Sequence, residues 1–299
     1  METEALRWFQ LVADGMTVTE VSEVYAVSQP GVSRALARLE AEVGTPLLRR
    51  HGRVLRMTHA GVAFKGHVDS LVHDLDDGLA AVQELVDPDT GVVSLAFPLS
   101  LGTWFVPRLI GEFTRTHPGV RFVLQRTTVG APGRISSPLA TRRADVELTT
   151  HRVSGPEVRW QRVATEPLLL AVPEDHEIAG RDSVALADVA TEPFVLRRAP
   201  SGMRELALAL CAAAGFEPRI AYEVDDLPTV RGFVGAGLGV AVVPAMGLRA
   251  PTTSGGVRLL PLTDEGASRD IGLAWLTGRG RLASAEAFRR FVLTRGAEA

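Results

Sequence analysis

The sequence predicts a multidomain chain: an all-α winged helix-turn-helix N-terminal domain with a long linker helix, then a larger α/β module. Three observations carry this reading. Residues 1–60 hold three short helical patterns with start signals, followed by two strand-like segments. From Thr58 to about Asp87 there is no Pro, and apolar residues recur in alternating steps of four and three. From Val92 onward apolar runs alternate with helical segments, the pattern of an open sheet covered on both sides. A chain of 299 residues with 46% apolar and 22% charged residues can bury a core in two or three domains, which excludes disorder as its dominant state.

Composition removes further classes. No apolar run approaches the roughly 18 to 20 residues of a membrane span, and METEALRWFQ has neither a basic nor an apolar leader region. A soluble, cytoplasmic protein without membrane contact is expected. The lone Cys211 excludes an internal disulfide framework and a multi-thiolate metal site. Of the 32 basic residues only Lys65 is Lys, so Arg abundance carries no weight and only its placement is informative. Residues 1–27 carry five acids against Arg7, a local charge of -4; residues 28–60 carry six Arg against Glu40 and Glu42, a local +4. A polyanion can therefore bind one segment of a slightly acidic protein, although a solvated charged face explains the charge alone.

Leu6, Phe9 and Val12 recur at helical spacing over residues 3–13, with Gly15 as a stop. Thr17 with Glu20 forms a capping box for a second helix, whose apolar side is Val21, Val24 and Tyr25. The tight turn Ala26-Val27 leads to a third helix with Ser28 as N-cap and Pro30 in its first turn. Val32, Leu36, Leu39 and Val43 form its inner stripe, which leaves Pro30, Ser33, Arg34, Ala37 and Ala41 on the other side and Gln29 at the border. Small residues allow close approach to a groove, Gln and Arg can pair with base edges, and Ser reaches phosphate or base. Leu47–Arg50 and Val54–Met57 read as two strands across His51-Gly52-Arg53, a basic wing placed to lie along phosphates.

The run VSQPGVSRALARLEAEVGTPLLRRHGRVLRMTHAG (27–61) resembles the signature of LysR-type transcriptional regulators, usually close to VSQPALSRQIRRLEEELGVPLFER followed by LTEAG. Gly31 and Leu48 depart from the usual Ala and Phe, and VTEVSEVY lacks the usual small-residue pair. The resemblance implies DNA contact by Gln29, Ser33 and Arg34, with Arg38, Arg53 and Thr58 on the backbone. Together with the outward face and the wing, the candidate DNA-binding set is Ser28, Gln29, Pro30, Ser33, Arg34, Arg38, Arg50, Arg53 and Thr58.

Phe64, Val68, Leu71, Leu75, Gly78, Val82 and Leu85 form a heptad seam on the linker, which a lone helix cannot bury. A homodimer is expected, with Gly78 weakening or kinking the helix and a tetramer of paired dimers by family analogy. Asp69, His73 and Asp77 are spaced by four, but on an exposed helix they read as solvated groups, not as a metal site.

In the α/β module the expected strands are Val93–Phe97, Val120–Arg126, Val146–Leu148, Leu168–Val172, Phe194–Leu196, Ile220–Val224, Val240–Val243 and Ile271–Leu276. Helices are expected near 101–115, 201–214, 227–236 and 284–295. The resemblance continues through Gly91-Val92-Val93, Trp104-Phe105-Val106-Pro107, His117-Pro118 with Val120, Ala144-Asp145-Val146, and Gly235 to Val240 with Pro244. It implies two lobes like those of periplasmic binding proteins, crossed by the chain near 163–167 and 262–268. The expected domains are 1–58, the linker 59–88, and an effector-binding domain 89–299, with lobe I about 89–163 and 268–299 and lobe II about 164–267.

Ligands of open sheets sit beyond the C-terminal strand ends. Ser100, Leu101, Thr149, Thr150, Arg198 and Ser201 fall there and form the candidate effector set; hydroxyls plus Arg198 suit a small organic anion. Asp225 and Asp226 would suit an amine or hydroxyl instead. GxGxG at 235–239 precedes a strand and so reads as a turn, not a dinucleotide site. Cys211 lies mid-helix without a neighbouring His, and no catalytic motif is present. The expected function is sequence-specific DNA binding modulated by a small effector, without cofactor or metal. The alternative is a small-molecule-binding protein or enzyme with a vestigial head.

Overall fold

A computed structural model describes residues 2–51, 54–86, 90–130, 134–155, 157–248, 250–277 and 282–296. The chain divides into two compact units, Met1–Gly91 with Ala140–Arg143, and Val92–Leu139 with Ala144–Ala299.

The first unit begins with α1 (Thr3–Ala13), which buries Ala5, Leu6, Trp8, Phe9 and Val12. Helix α2 (Val18–Val24) opens on the expected capping box: the Glu20 N–H donates to Thr17 Oγ1 at 3.2 Å, and the Thr17 N–H donates to the Glu20 carboxylate at 2.6 Å. Its apolar side is narrower than expected. Val21 is buried with Ser22, whereas Val24 and Tyr25 are exposed, because seven residues form only two turns. Helix α3 (Gln29–Val43) starts at Ser28, whose hydroxyl accepts the Gly31 N–H at 3.2 Å. Val32, Leu36 and Leu39 pack with Phe9, Val12 and Val21, each fully buried side chain contributing roughly 1.5–3 kcal/mol.

The wing is an antiparallel pair, β1 (Leu48–His51) and β2 (Val54–Met57), one residue later in its first strand than expected. Leu47 is buried in the core instead. The Glu40 carboxylate of α3 accepts the N–H groups of Leu47 and Leu48 at 2.7 and 2.8 Å, tying the wing to that helix. Helix α4 (His59–Val86) follows, capped by Thr58 Oγ1, which accepts the Gly61 N–H at 3.0 Å. It runs through Gly78 as one helix of 28 residues, about 42 Å long.

The expected heptad seam splits. Of the seam residues, Val68 is buried against α1 and Phe64 packs beside it, while Leu71, Leu75 and Val82 remain exposed; of their neighbours off the seam, Val72 is buried and Leu79 exposed. Asp69 is not solvated: it is 4% exposed, its carboxylate accepting from Lys65 Nζ at 2.7 Å and Gln10 Nε2 at 2.8 Å. The cause is α1, which covers the first half of the linker helix. Leu85 and Asp77 have side chains outside the described residues.

The second unit opens with β3 (Gly91–Phe97), α5 (Leu99–Gly102) and α6 (Phe105–Phe113). The single helix expected near 101–115 is therefore broken at Thr103-Trp104, where Trp104 leaves helical geometry at φ -146°. Then come β4 (Val120–Arg126), β5 (Thr128–Gly130), β6 (Arg134–Ser136) and β7 (Val146–Thr149). The sixteen-residue β8 (Val158–Pro173) contains the expected Leu168–Val172 as its final part only. Lobe II continues with β9 (Pro193–Arg197), α7 (Gly202–Ala213), β10 (Arg219–Val224), α8 (Leu227–Gly235), β11 (Ala241–Pro244), β12 (Thr252–Ser254) and β13 (Val257–Pro261). The chain returns through β14 (Ser268–Leu276) to α9 (Ala283–Gly296).

Strand β8 joins two cores. From Val158 to Pro167 it pairs antiparallel with β14; from Leu168 it pairs with β11 and β13. Val93, Leu95, Leu109, Phe113, Val146, Leu148 and Phe288 fill the first lobe. Leu168, Leu170, Phe194, Leu196, Ala207, Leu210 and Val242 fill the second. The lobes thus share the antiparallel β8–β14 ladder, whose register requires Gly272: a Cβ there would lie 2.1 Å from the Trp160 ring.

Candidate nucleic-acid interface and effector site

Helix α3 separates its two faces as its sequence demands. Val32, Leu36 and Leu39 are buried, while Ser28, Gln29, Pro30, Ser33, Arg34, Ala37, Arg38 and Ala41 are exposed. Gln29, Ser33 and Arg34 occupy one outward strip at helical spacing. Arg38 also faces out, with Nη1 3.0 Å from the Glu2 carboxylate; that exposed pair would open at little cost to free it for a phosphate. In the wing, Arg49 faces Arg56 and Arg50 faces Leu55 across the ladder, and both Arg49 and Arg50 are exposed. Arg53 lies outside the described residues. Thr58 is engaged locally, donating to Pro46 O at 2.8 Å while capping α4.

In the second unit, β3 and β7 are parallel, so their C-terminal ends share one sheet edge. Ser100 follows the first of these strands and is half-buried; Leu101 beside it is fully buried. Thr149 is 3% exposed and engaged within the fold, accepting from Trp160 Nε1 at 2.9 Å and donating to His151 O at 2.8 Å. Thr150 is half-buried.

Strands β9 and β10 are also parallel; Arg197 ends β9, and Arg198 and Ser201 follow it. Ser201 is buried and caps α7, accepting the Arg204 N–H at 3.4 Å. Arg198 is exposed and turned toward Asp225 Oδ1 at 3.4 Å. Asp226 caps α8, and the Thr229 N–H at 2.8 Å holds its carboxyl below the usual range. The neighbouring Arg197 is oriented by the backbone, donating from Nε and Nη2 to Asp225 O at 3.2 and 2.8 Å.

Three groups are absent from the sequence-based set: Glu166, Arg197 and Arg269. Arg269 and Glu166 face each other across β14 and β8, with Nε and Nη2 of Arg269 2.7 and 2.6 Å from Glu166 Oε2. Arg269 Nη2 also donates to Ser100 Oγ at 3.2 Å. Burial pushes the guanidinium below the usual arginine range, Glu166 opposes the shift, and Arg197 adds to it as a like charge. The structure therefore brings Ser100, Glu166 and Arg269 together. Arg269 is 103 residues from Glu166 and 169 from Ser100, so local sequence carries no signal of the arrangement.

The remaining decoys resolve simply. Gly237 and Gly239 adopt φ of 73° and 145° in the turn between α8 and β11. Cys211 is buried, and its thiol is pushed up to about 11, which disfavours the nucleophilic thiolate.

Residues 3–62 match the model of the bacterial regulatory helix-turn-helix protein, lysR family, and residues 87–297 match that of the LysR substrate binding domain. The chain belongs to the LysR family. It is a LysR-type DNA-binding transcriptional regulator with an effector-binding domain. A relative is the uncharacterized HTH-type transcriptional regulator YybE of Bacillus subtilis (strain 168), 33% identical over 302 residues and covering 100% of both chains. Full-length CbnR, solved in complex with its target DNA, matches 99% of this LysR-type chain and 100% of its own, at 23% identity and TM-score 0.76. The effector-binding domain of QuiR, solved with shikimate, covers 70% of this chain and 98% of its own at 24% identity and TM-score 0.60. These two structural likenesses bear on the fold.

Proposed function

We propose that this regulator recognises a defined DNA operator as a homodimer and that a small organic anion modulates this binding. The outward strip Gln29, Ser33 and Arg34 over a buried Val32, Leu36 and Leu39 carries the reading. Such a helix enters a major groove, while the wing arginines and Arg38 reach phosphates. The proposed division is a DNA-binding domain 1–58, a linker 59–88 and an effector domain 89–299. The exposed stripe Leu71, Leu75, Leu79 and Val82 is the dimer seam, with pairs of dimers forming a tetramer by family analogy.

Selection of bound duplexes from a random-sequence pool tests the DNA reading. A discrete, near-palindromic motif is expected; recovery of unselected sequences sinks it. Affinity for the selected duplex should fall by roughly 0.9 log units per log unit of salt for each neutralised phosphate. Among the described residues no helix is long and apolar enough to cross a membrane, and action on DNA in the cytoplasm fits that. The effector would seat between Ser100, Thr150 and the Arg197–Ser201 segment. Its binding to one lobe arrangement over another shifts the operator-binding equilibrium. Shikimate, bound by the QuiR domain, is the first probe.

A further inference from the structure

The first unit includes four residues from the chain between β6 and β7: Ala140–Arg143 belong to it, while Leu139 and Ala144 on either side belong to the second. Within the first unit this segment meets the joint between α1 and α4. Arg143 places Nη2 3.5 Å from Oδ2 of Asp14, the C-cap of α1, and Nη1 3.9 Å from Asp69 Oδ2 on α4. Ser70 Oγ, which also faces Gly66 O, lies 3.3 Å from Thr141 O as a donor.

The joint needs that arginine. Lys65 Nζ already holds both carboxylates, 3.0 Å from Asp14 and 2.7 Å from Asp69, and Asp69 is only 4% exposed. Arg7 of α1 is committed to Asp76. Among the described residues of α1 and α4, Asp14 and Asp69 therefore share one ammonium, and Arg143 neutralises the charge left over at this part-buried place. Arg142 beside it holds φ at 58°, a left-handed conformation that a residue with a Cβ keeps only where its surroundings impose it.

The base of the same loop is fixed within the second unit. Leu139 and Ala144 are both buried. On one side the Ser137 hydroxyl donates to the buried Glu147 carboxylate of β7. On the other, Asp145 Oδ2 accepts the Ser94 N–H at 2.7 Å, and the Asp145 N–H donates to Ser94 O at 2.9 Å. From there the buried β7 runs about 13 Å to Thr149, next to Thr150 of the proposed effector set. One stiff stretch of chain thus joins Arg143 to the strand end.

We infer that Ala140–Arg143 is a latch that couples the DNA-binding head to β7. A shift of β7 moves Arg143 relative to Asp14 and Asp69, so the state of the strand and the packing of α1 on α4 are linked, and the linkage runs both ways. The latch supplies a route for the regulation proposed above and rests on that reading. Its test needs no effector, so it can fail while the effector reading stands.

The test is amide hydrogen exchange on the full-length protein, with and without a saturating duplex selected from the random pool. In the wild type, duplex binding should change exchange across residues 144–151 by about threefold or more. The released variant, Asp14→Asn with Ser70→Ala and Arg143→Ala, keeps Lys65 balanced by Asp69. It should still bind the duplex, with the change at 144–151 reduced to less than about 1.5-fold. Arg143→Ala alone strands a carboxylate and should melt about 2–4 °C below the wild type, a loss that the released variant regains. If the wild type binds duplex without a change at 144–151, or if the released variant keeps the change, the segment is a structural tie and no latch. A released variant that melts as low as Arg143→Ala would overturn the charge balance on which the latch is built. If no duplex is bound, the DNA reading fails and the latch fails with it.

Discussion

The DNA-binding head and the effector module use polar residues in opposite ways. In the head, Gln29, Ser33 and Arg34 sit on one helix and point into solvent, and the fold beneath them is apolar. In the module, Ser100, Glu166 and Arg269 come from a short helix and two strands, are partly or wholly buried, and bond to one another. The head needs only rigid support for a face whose partner arrives from outside. The module holds charge away from water, so each of these three groups has a partner within the fold. A change at the head's face should therefore alter binding with little effect on stability, whereas a change in the module alters both.

That contrast is open to attack, most strongly at Glu166. Glu166→Ala would leave Arg269 buried and uncompensated, and should destabilise the effector module by about 3–5 kcal/mol. Chemical denaturation checks it, and a loss below about 1 kcal/mol would mean that water reaches the pair. Leu36→Ala empties a core position under α3 and should cost the head about 2–4 kcal/mol, with operator and random-DNA binding falling together.

Arg34→Ala is the counterpart on the exposed face of the same helix. It should leave the melting temperature nearly unchanged and weaken the selected operator by about 1–3 kcal/mol, with a smaller effect on random DNA. Equal losses on both duplexes, read by gel shift, would demote Arg34 to a phosphate contact. The smallest effect is at a helix cap. Asp226→Ala should cost about 1 kcal/mol at neutral pH. Because the Thr229 N–H holds the Asp226 carboxyl below its usual range, its stabilisation is present above the unfolded pKa. It is lost as pH falls through the folded one, so the difference between the variant and wild type should shrink in acid.

Most helices were legible because their signals are local. Thr17 with Glu20, Ser28 with Pro30, and Thr58 mark helix starts that the structure places within a residue. The α5–α6 break was missed because Leu101 to Phe113 keeps a helical pattern even though Trp104 does not adopt helical geometry. The first half of β8 was missed for a different reason. Val158 to Pro167 carries Arg159, Gln161, Arg162 and Glu166 and does not read as an apolar strand; its ladder with β14 makes it one. At the end of β9, side chains of adjacent residues start out on opposite faces of the sheet. The sequence suggested Arg198; in the structure both Arg197 and Arg198 turn toward Asp225, the first to its backbone carbonyl and the second to its carboxylate.

By itself, the sequence determined the helical head, the polar and apolar faces of its third helix, and the family resemblance, because each depends on residues a few positions apart on one regular element. Tertiary structure alone decided which half of the linker seam stays exposed, which hydroxyls are bonded within the fold, and that Ser100, Glu166 and Arg269 meet. Those outcomes depend on chain crossings between distant strands. Burial then turns those meetings into strong interactions, since a charge removed from water must find its partner within the fold.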